Sequence, residues 1–232
     1  MAHTTILAGT DMSTATPKVL RWELDPITAR SFAIVEDELR GTPIDPSVFP
    51  IVRRVIHATA DFDFAQVLRF HPQAIRAGLE SLQAGGTIVT DVRMVEVGMN
   101  QRVLQALGNK TVCLVHEAGV ARTAMMTGAT RAAVALRQAA EVCRDGGIFV
   151  IGSAPTALFA LVRLVEERRV HPALIVGVPV GVVGAAESKD ALMRIEHTPW
   201  IASHGRKGGS AVAVAIVNAL LLLAVEQEVG RQ

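Results

Sequence analysis

The chain has 232 residues, of which 50% are hydrophobic and 19% are charged, and this composition indicates a folded domain rather than a disordered segment. Its 23 basic and 22 acidic residues leave a net charge of +1, which argues against binding of nucleic acid through bulk charge. Aromatic residues make up only 4%, too few for a stacking platform. We therefore expect no nucleic-acid partner.

The N-terminal segment and the cysteines indicate where the protein resides. Residues 1–20 have neither the basic start nor the apolar run of a signal peptide, and we expect them to form a loose arm. Cys113 and Cys143 show neither metal-ligand spacing nor a disulfide framework, which favours a reduced, cytoplasmic setting. Because residues 21–232 contain no linker or repeat, we predict that they form one domain.

The predicted elements begin with three helices and continue with alternating strands and helices. The three helices are predicted over 26–40, 48–58 and 72–84. Short β-branched runs bounded by glycine or proline predict strands over 86–91, 111–115, 147–152, 173–179 and 199–203. The remaining helices are predicted over 118–144 in one or two pieces, 155–169, 186–196 and 209–228. Apolar strands that alternate with helices indicate a parallel sheet covered on both faces.

The most apolar run of the chain lies near the C-terminus, over 211–225. It is shorter than the ~20 residues of a membrane span, and it contains Asn218. We therefore interpret it as a buried helix and predict no membrane segment.

Four of the predicted strands end in polar or glycine-rich residues. Asp91 ends the first strand, "GSAPTA" ends the third, "VPVGVVGAAESKD" the fourth and "SHGRKGGS" the fifth. Because ligands of parallel sheets bind at the carboxyl ends of the strands, these loops predict one broad crevice with many backbone donors. Their glycine patterns match neither the dinucleotide motif nor the P-loop, so a nucleotide is not the expected ligand.

Two arginines in these regions are candidates for binding an anion. Arg206 lies in the last loop, just before a helix that begins at Ser210, a favourable position for a carboxylate or phosphate ligand. A basic surface turn explains this spacing equally well. Arg131 lies in the first turn of a predicted helix, where a cation opposes the helix dipole. Arg131 either binds a ligand anion or is an exposed arginine with no role in binding.

The charged residues after the fourth strand are interpreted differently from one another. Lys189 and Asp190 are typical of a solvated first helical turn. The position of Glu187 beside the glycine loop favours hydrogen bonds to the backbone.

Two residues of the N-terminal helices stand out. Ser31 shares a face with Ile27, Ile34 and Val35, where it is typically a small packing residue. His57 lies in the last turn of its helix, at the edge of the apolar face, where the helix dipole favours protonation. Neighbouring arginines oppose this effect, so the sign of the pKa shift stays open, and a core or surface histidine is the commoner outcome. The other histidines lack paired metal-ligand spacing, and no metal site is predicted.

Six blocks of this sequence resemble the precorrin-8X methylmutase family, the precorrin isomerases of cobalamin biosynthesis. In chain order they are "ARSFAIVEDE", "VIHATAD", "GATRAAVAL", "VIGSAPTAL", "VGVPVGVVGAAESKDAL" and "GRKGGSAVAVAIVNAL". The similarity extends from about Asp25 to the end of the chain, and the two glycine-rich loops are together highly specific. Val182 stands where the family often has phenylalanine.

The resemblance implies an α/β fold of the flavodoxin-like, three-layer α/β/α type, with a five-stranded parallel sheet and extra N-terminal helices. It implies a homodimer whose active site lies at the subunit boundary. It also implies a cofactor-free isomerisation, in which a methyl group migrates from carbon 11 to carbon 12 of precorrin-8X or cobalt-precorrin-8 to give hydrogenobyrinate or cobyrinate. Nothing in the sequence decides whether the tetrapyrrole carries cobalt.

The resemblance also assigns roles to individual residues. His57 matches the catalytic histidine of the family, and we expect it to be the general acid. Ser31 matches a serine that contacts the substrate, and the arginines would bind the acetate and propionate arms of the ring. The expected substrate contacts are Ser31, Asp91, Arg131, Ser153, Thr156, Gly184, Glu187, Arg206, Gly208, Gly209 and Ser210.

Two rival classes stay open at this point. A tetrapyrrole carrier without catalysis would differ from the enzyme only at His57. A nucleotide-dependent oxidoreductase would need a dinucleotide motif followed by an acidic residue some ~20 residues later, and the sequence has neither.

Overall fold

The computed structural model describes residues 25–230, with side chains described to residue 228. The expected arm over residues 1–20 lies outside the described range. The predicted domain over 21–232 begins and ends outside the described residues, so its two boundaries stay predictions.

The described residues form eleven helices and six strands. The helices are α1 (Pro26–Glu38), α2 (Phe49–Thr59), α3 (Phe64–Val67), α4 (Ala74–Gln83), α5 (Arg93–Gly98), α6 (Gln101–Ala106), α7 (Ala118–Thr127), α8 (Arg131–Val142), α9 (Pro155–Glu166), α10 (Ala185–Met193) and α11 (Ser210–Gly230). The strands are β1 (Leu68–Phe70), β2 (Thr87–Thr90), β3 (Lys110–Val112), β4 (Ile148–Ile151), β5 (Leu174–Gly177) and β6 (Trp200–Ser203).

The strands form one mixed sheet in the order β1-β6-β5-β4-β2-β3. All neighbouring strands are parallel except β1 and β6, which pair antiparallel with Leu68 opposite Ser203. The prediction of five parallel strands is therefore wrong by one antiparallel edge strand. The missed strand has three residues, of which only Leu68 is buried, so the sequence shows no β-branched apolar run there.

The order of the parallel strands creates a switch point at the carboxyl edge of the sheet. The chain runs from β2 to β3 on one side, whereas β4, β5 and β6 follow on the other side. The connection that leaves β2 therefore runs towards one side of the sheet, and the connection that leaves β4 runs towards the other side. Where neighbouring connections diverge in this way, a crevice opens between the strand ends. Asp91 and Gly152 directly follow these two strands.

Helices cover both faces of the sheet, which confirms a three-layer arrangement. In β4, Ile148 and Val150 pack into one core cluster with residues of α2, α4 and α11. Phe149 and Ile151 pack into the other cluster with residues of α8, α9 and α10. This alternation follows from the pleat of a strand that is buried on both faces.

Helix α11 has the length and apolar composition of a membrane span over Ser210–Glu228, but 56% of that stretch is buried inside the protein. It packs against α2, α4 and α5, and Ile216, Leu220 and Ala224 are buried. Burial against the sheet accounts for its composition, in agreement with the interpretation of run 211–225 as a buried helix.

The predicted apolar face of α1 is wrong at Ile27 and Ile34. Ile27 is 81% exposed and Ile34 is 49% exposed, whereas Phe32 and Val35 are buried. Helix α1 therefore packs through the Phe32 face. Ser31 is half-buried beside this face, with its hydroxyl towards α2.

Candidate active site

Helix α2 carries His57 in its last turn, and the turn that follows this helix contacts the β6–α11 loop, at the carboxyl edge of the sheet. The buried face of α2 is formed by Ile51, Val52, Val55 and Ile56. His57 follows in the last turn and is half-buried. Its Nδ1 lies 2.8 Å from the Oγ of Ser31 in α1. The structure thus joins the two N-terminal residues that the sequence singled out.

The side chain of Phe32 holds the other flank of the imidazole. Its ring meets the ring of His57 edge to face, with centroids 5.3 Å apart and planes at 86°. The guanidinium carbon of Arg53 lies 4.2 Å from the Phe32 centroid, and that of Arg54 lies 5.9 Å from it. Two packed contacts, one polar and one aromatic, therefore limit the rotation of the imidazole.

The hydrogen bond at Nδ1 decides which ring nitrogen can act on a ligand. When the ring is protonated, Nδ1–H donates to Ser31 Oγ, and Nε2–H is the proton left for another acceptor. Once that proton has gone, the neutral ring can keep its Nδ1–H bond to Ser31. Because the Ser31 hydroxyl can also donate to a bare Nδ1, the contact suits either tautomer of the neutral ring.

The pKa of His57 is lowered below its usual 6.5, mainly because burial penalises the charged ring. The positive charge of Arg54 lowers it further, while the carboxylate of Asp25 raises it. The surroundings of the ring within the chain therefore favour neutral imidazole. A ligand with carboxylates beside the ring would shift the balance towards the imidazolium.

Asp91 joins the two strand ends at the switch point. Its side chain is 1% exposed, and it accepts hydrogen bonds from the backbone N–H groups of Gly152 at 3.1 Å, Ser153 at 2.8 Å and Ala154 at 2.7 Å. Burial raises the pKa of its carboxyl, and the three N–H groups oppose this rise. The structure places Asp91 beneath the β4–α9 loop, so its expected contact with substrate stays a prediction, whereas its hold on the loop is observed.

A pair of hydroxyls lies between the first turns of α8 and α9. Thr156 Oγ1 is 2.7 Å from Thr130 Oγ1, which also accepts from the Ala133 N–H as the cap of α8. The two hydroxyls have two protons and use one between them, so one proton is left to donate. Thr130 had not been predicted, although its place just before the helix is a typical cap signal.

Arg131 and Ser153 are exposed beside this hydroxyl pair. No ion pair of Arg131 occurs among residues 25–228. A free guanidinium beside a spare hydroxyl proton is suited to a ligand carboxylate.

The loop between β5 and α10 presents apolar side chains as well as backbone. Gly184 has φ +76° at the start of α10, a conformation that favours glycine. Val182 is 75% exposed and Val183 is 87% exposed. Glu187 is exposed as well, and within the described residues its side chain makes no hydrogen bond of the kind expected from its position.

The loop between β6 and α11 packs against the preceding one through backbone. Gly209 N–H donates to Val178 O at 2.8 Å, and Gly181 N–H donates to Arg206 O at 3.4 Å. A Cβ on Gly208 would lie 2.2 Å from Val178 O, so only glycine fits there. The two glycine-rich loops therefore form one surface, with the Arg206 side chain exposed on it.

Lys207 connects this surface to the histidine helix. Its Nζ lies 2.7 Å from Asp61 Oδ2 and 2.6 Å from Asp63 Oδ2, both in the turn that follows α2. The hydrogen bonds that its ammonium donates to these carboxylates raise the pKa of Lys207. The side chain thus brings the end of α2 close to the β6–α11 loop, a contact that the sequence did not indicate.

The prediction that Lys189 is solvated is wrong. Its side chain is fully buried, and Nζ donates to Lys207 O at 2.7 Å and to Ser203 Oγ at 3.2 Å. Its spacing from Ala185 and Leu192, which are buried in the same helix, was the available signal. Asp190 is only half-buried.

The remaining expected residues divide into two groups. Ser31 joins His57, and the residues of the strand-end loops join one another, but no hydrogen bond links His57 to the loop residues within the described chain. Ser210 begins α11 at the same edge and is half-buried. In the same part of the chain no three metal-ligating side chains of the His, Cys, Asp or Glu type come together.

Fold and site together define a doubly wound α/β protein with a polar, glycine-lined crevice and a fixed histidine at the carboxyl edge of its sheet. The model of the precorrin-8X methylmutase family matches residues 26–223. The chain belongs to this family.

Individual relatives agree with this membership over most of their length. Cobalt-precorrin-8 methylmutase of Priestia megaterium is 42% identical over 207 residues, 89% of this chain and 91% of that protein. Precorrin-8X methylmutase of Pseudomonas aeruginosa is 44% identical over 197 residues, 84% of this chain and 93% of that protein. The crystal structure of precorrin-8X methylmutase from Thermus thermophilus superposes with a TM-score of 0.81 at 42% identity, covering 87% of this chain and 96% of that one.

Proposed function

We propose that this protein is an isomerase of cobalamin biosynthesis, which moves a methyl group from carbon 11 to carbon 12 of precorrin-8X or cobalt-precorrin-8 to give hydrogenobyrinate or cobyrinate. The observation that carries the proposal is the 2.8 Å contact of His57 Nδ1 with Ser31 Oγ in a chain of the methylmutase family. With Nδ1 engaged by Ser31, Nε2 is the ring nitrogen left to carry a proton to a ligand.

The proposed mechanism uses that proton to make the ring electron-poor. Nε2–H of His57 protonates, or hydrogen-bonds to, a pyrrole-type nitrogen of the bound tetrapyrrole. The methyl group then leaves carbon 11 with its bonding pair and forms the new bond to carbon 12. The imidazole recovers its proton when the positive charge of the ring is discharged, so acid and base are the same residue.

The neighbouring loops support binding of a large ligand with several carboxylates. The spare proton of the Thr130–Thr156 pair, the exposed Arg131 and Arg206 and the glycine backbone are all donors. Exposed Val182 and Val183 suit the apolar face of a macrocycle. A ligand of this kind needs donors at its rim and apolar contact at its face, and the crevice offers both.

Turnover with two substrates tests the proposal. Purified protein is mixed with metal-free precorrin-8X and, separately, with cobalt-precorrin-8, and the product is followed by its absorption spectrum. Isomerisation of either substrate is the expected result, and the ratio of the two kcat/KM values identifies the natural one. Binding of both without turnover would leave a carrier, and binding of neither would overturn the proposal.

Arg131→Ala is expected to weaken substrate binding more than it slows bound turnover. A charge-assisted hydrogen bond contributes about 1.5–3 kcal/mol, which corresponds to a Kd about ten- to a hundredfold higher. Titration of hydrogenobyrinate or cobyrinate into both proteins measures the change. Arg137→Ala, on the exposed side of the same helix, is the matched control, and equal affinities of all three proteins would remove Arg131 from the site.

We further propose that the protein acts as a homodimer with its active site at the subunit boundary. Exposed Ile27 and Ile34 lie on the helix that carries Ser31, as an interface beside the site requires. Sedimentation of the active protein is expected to give a dimer. A fully active monomer would exclude the shared site.

Two finer assignments complete the proposal. We propose that the five parallel strands are a flavodoxin-like unit to which β1 is added, because their order has the 2-1-3-4-5 pattern of that class. We also propose a cytoplasmic location, because both cysteines are unpaired, and cell fractionation can test this.

A further inference from the structure

Lys189 is a buried cation that no carboxylate of residues 25–228 contacts by a hydrogen bond. Its side chain is fully buried, and both acceptors of its Nζ, Lys207 O and Ser203 Oγ, are uncharged. Burial lowers its pKa to about 8, against the opposing charge of Asp190, so the group is largely an ammonium at neutral pH. An ammonium at such a position is destabilising, which makes its hydrogen bonds the feature to explain.

One of these bonds and a second bond from the Ser203 hydroxyl act on the same peptide group of the β6–α11 loop. Lys207 O accepts from Lys189 Nζ at 2.7 Å and from Ser203 Oγ at 2.7 Å. Two donors fill the two lone pairs of this carbonyl. Because both donors are buried, the carbonyl points into the protein.

The next N–H group therefore points the other way. In a trans peptide the C=O and the following N–H lie in one plane and in opposite directions, so the N–H of Gly208 points away from Lys189. This N–H has no acceptor within residues 25–228. Gly208 has φ +157°, and its backbone lies too close to Val178 to take a side chain.

We propose that Lys189 is a positioning residue for substrate binding: its ammonium fixes the Lys207–Gly208 peptide so that Gly208 N–H faces the crevice and donates to a substrate carboxylate. This rests on the proposed function, since it assigns a contact for one carboxylate arm of the tetrapyrrole. The same peptide begins with Lys207, whose side chain holds Asp61 and Asp63. The β6–α11 loop, fixed in this way, therefore also contacts the turn that follows α2, the helix that carries His57.

Binding measurements with Lys189→Met test this without turnover. The reaction product is titrated into the unmutated protein and into the variant, once as the free acid and once as its full methyl ester. Lys189→Met is expected to lower the preference for the acid over the ester about tenfold, the effect of one charge-assisted hydrogen bond. A role in folding alone would weaken both ligands alike and leave the preference unchanged, which would overturn the proposal.

A second variant keeps the test decisive if Lys189→Met does not fold. Ser203→Ala removes one donor from the same carbonyl but keeps the ammonium, so the preference should fall about two- to fivefold, as for one neutral hydrogen bond. An unchanged preference in Ser203→Ala would then reject the proposal. If the unmutated protein binds neither the acid nor the ester, the proposed function is wrong. That outcome is distinguishable from an unchanged preference in the variants, which rejects only the role of Lys189.

Discussion

His57→Ala is expected to slow methyl migration by about 10²–10⁴-fold, the usual contribution of a general acid, while the product still binds. The variant removes the imidazole that we propose as the proton donor to the ring. Single-turnover rates at saturating protein measure the chemical step apart from binding. His57→Ala protein that isomerises substrate at nearly the original rate would refute the role.

Ser31→Ala is the matched control, because it keeps the imidazole and removes its partner at Nδ1. One neutral hydrogen bond contributes about 0.5–1.5 kcal/mol, so the rate should fall only about two- to tenfold. A loss as large as that of His57→Ala would mean that Ser31 itself acts on the substrate, as the family resemblance suggests.

The pH dependence of the reaction gives an independent check of His57. An acid catalyst is active below its pKa and inactive above it, so kcat/KM should fall as pH rises through the pKa of the free enzyme. Burial and Arg54 lower that pKa below 6.5. Bound carboxylates would raise it in the complex, so kcat should fall at higher pH than kcat/KM. A rise of kcat/KM through this range would indicate that the histidine acts as a base.

Asp91→Ala is expected to lower the free energy of unfolding by about 3–5 kcal/mol. Each orphaned buried donor costs about 1–3 kcal/mol, and three backbone N–H groups bond to this carboxylate. Water that enters the space would recover part of the loss. Domains of this kind are typically stable by only about 5–15 kcal/mol, so the change is large. Urea unfolding followed by circular dichroism measures it.

Asp91→Asn is the control for volume. Asparagine keeps one oxygen that accepts from the N–H groups, but its amide NH₂ faces the other donors. Asp91→Asn should therefore lower the free energy of unfolding about half as much as Asp91→Ala, which has neither oxygen. A loss below about 1 kcal/mol in Asp91→Ala, the level of an ordinary surface or single hydrogen-bond change, would show that the β4–α9 loop is held by something other than this carboxylate.

The elements that the sequence predicted well are those with a strong local signal. The five parallel strands are continuous apolar runs between glycines or prolines, and α2 and α9 show unambiguous helical spacing. Strand β1 and helices α3, α5 and α6 escaped because they have three to six residues, too few for any periodicity to appear. Strand β1 is defined by its pairing with β6, in which Leu68 lies opposite Ser203.

The site shows the same division. Strand-end glycines and His57 could be placed from local pattern and family blocks. The pairing of His57 with Ser31 could not, because it depends on how α1 lies against α2, and the predicted face of α1 was wrong. Lys189 was misjudged because charge outweighed helical spacing in its interpretation. A sequence pattern indicates which face of an element is buried. The residues that pack against that face are known only from the folded structure.

The two outermost strands also bear on how copies of this protein can associate. Strands β1 and β3 have three residues each, and their exposed positions carry Arg69 and Lys110. Short, positively charged outer strands resist the edge-to-edge pairing by which sheets extend into fibrils or swapped assemblies. A continuous sheet running through two molecules is therefore disfavoured, and self-association has to use helices and loops instead.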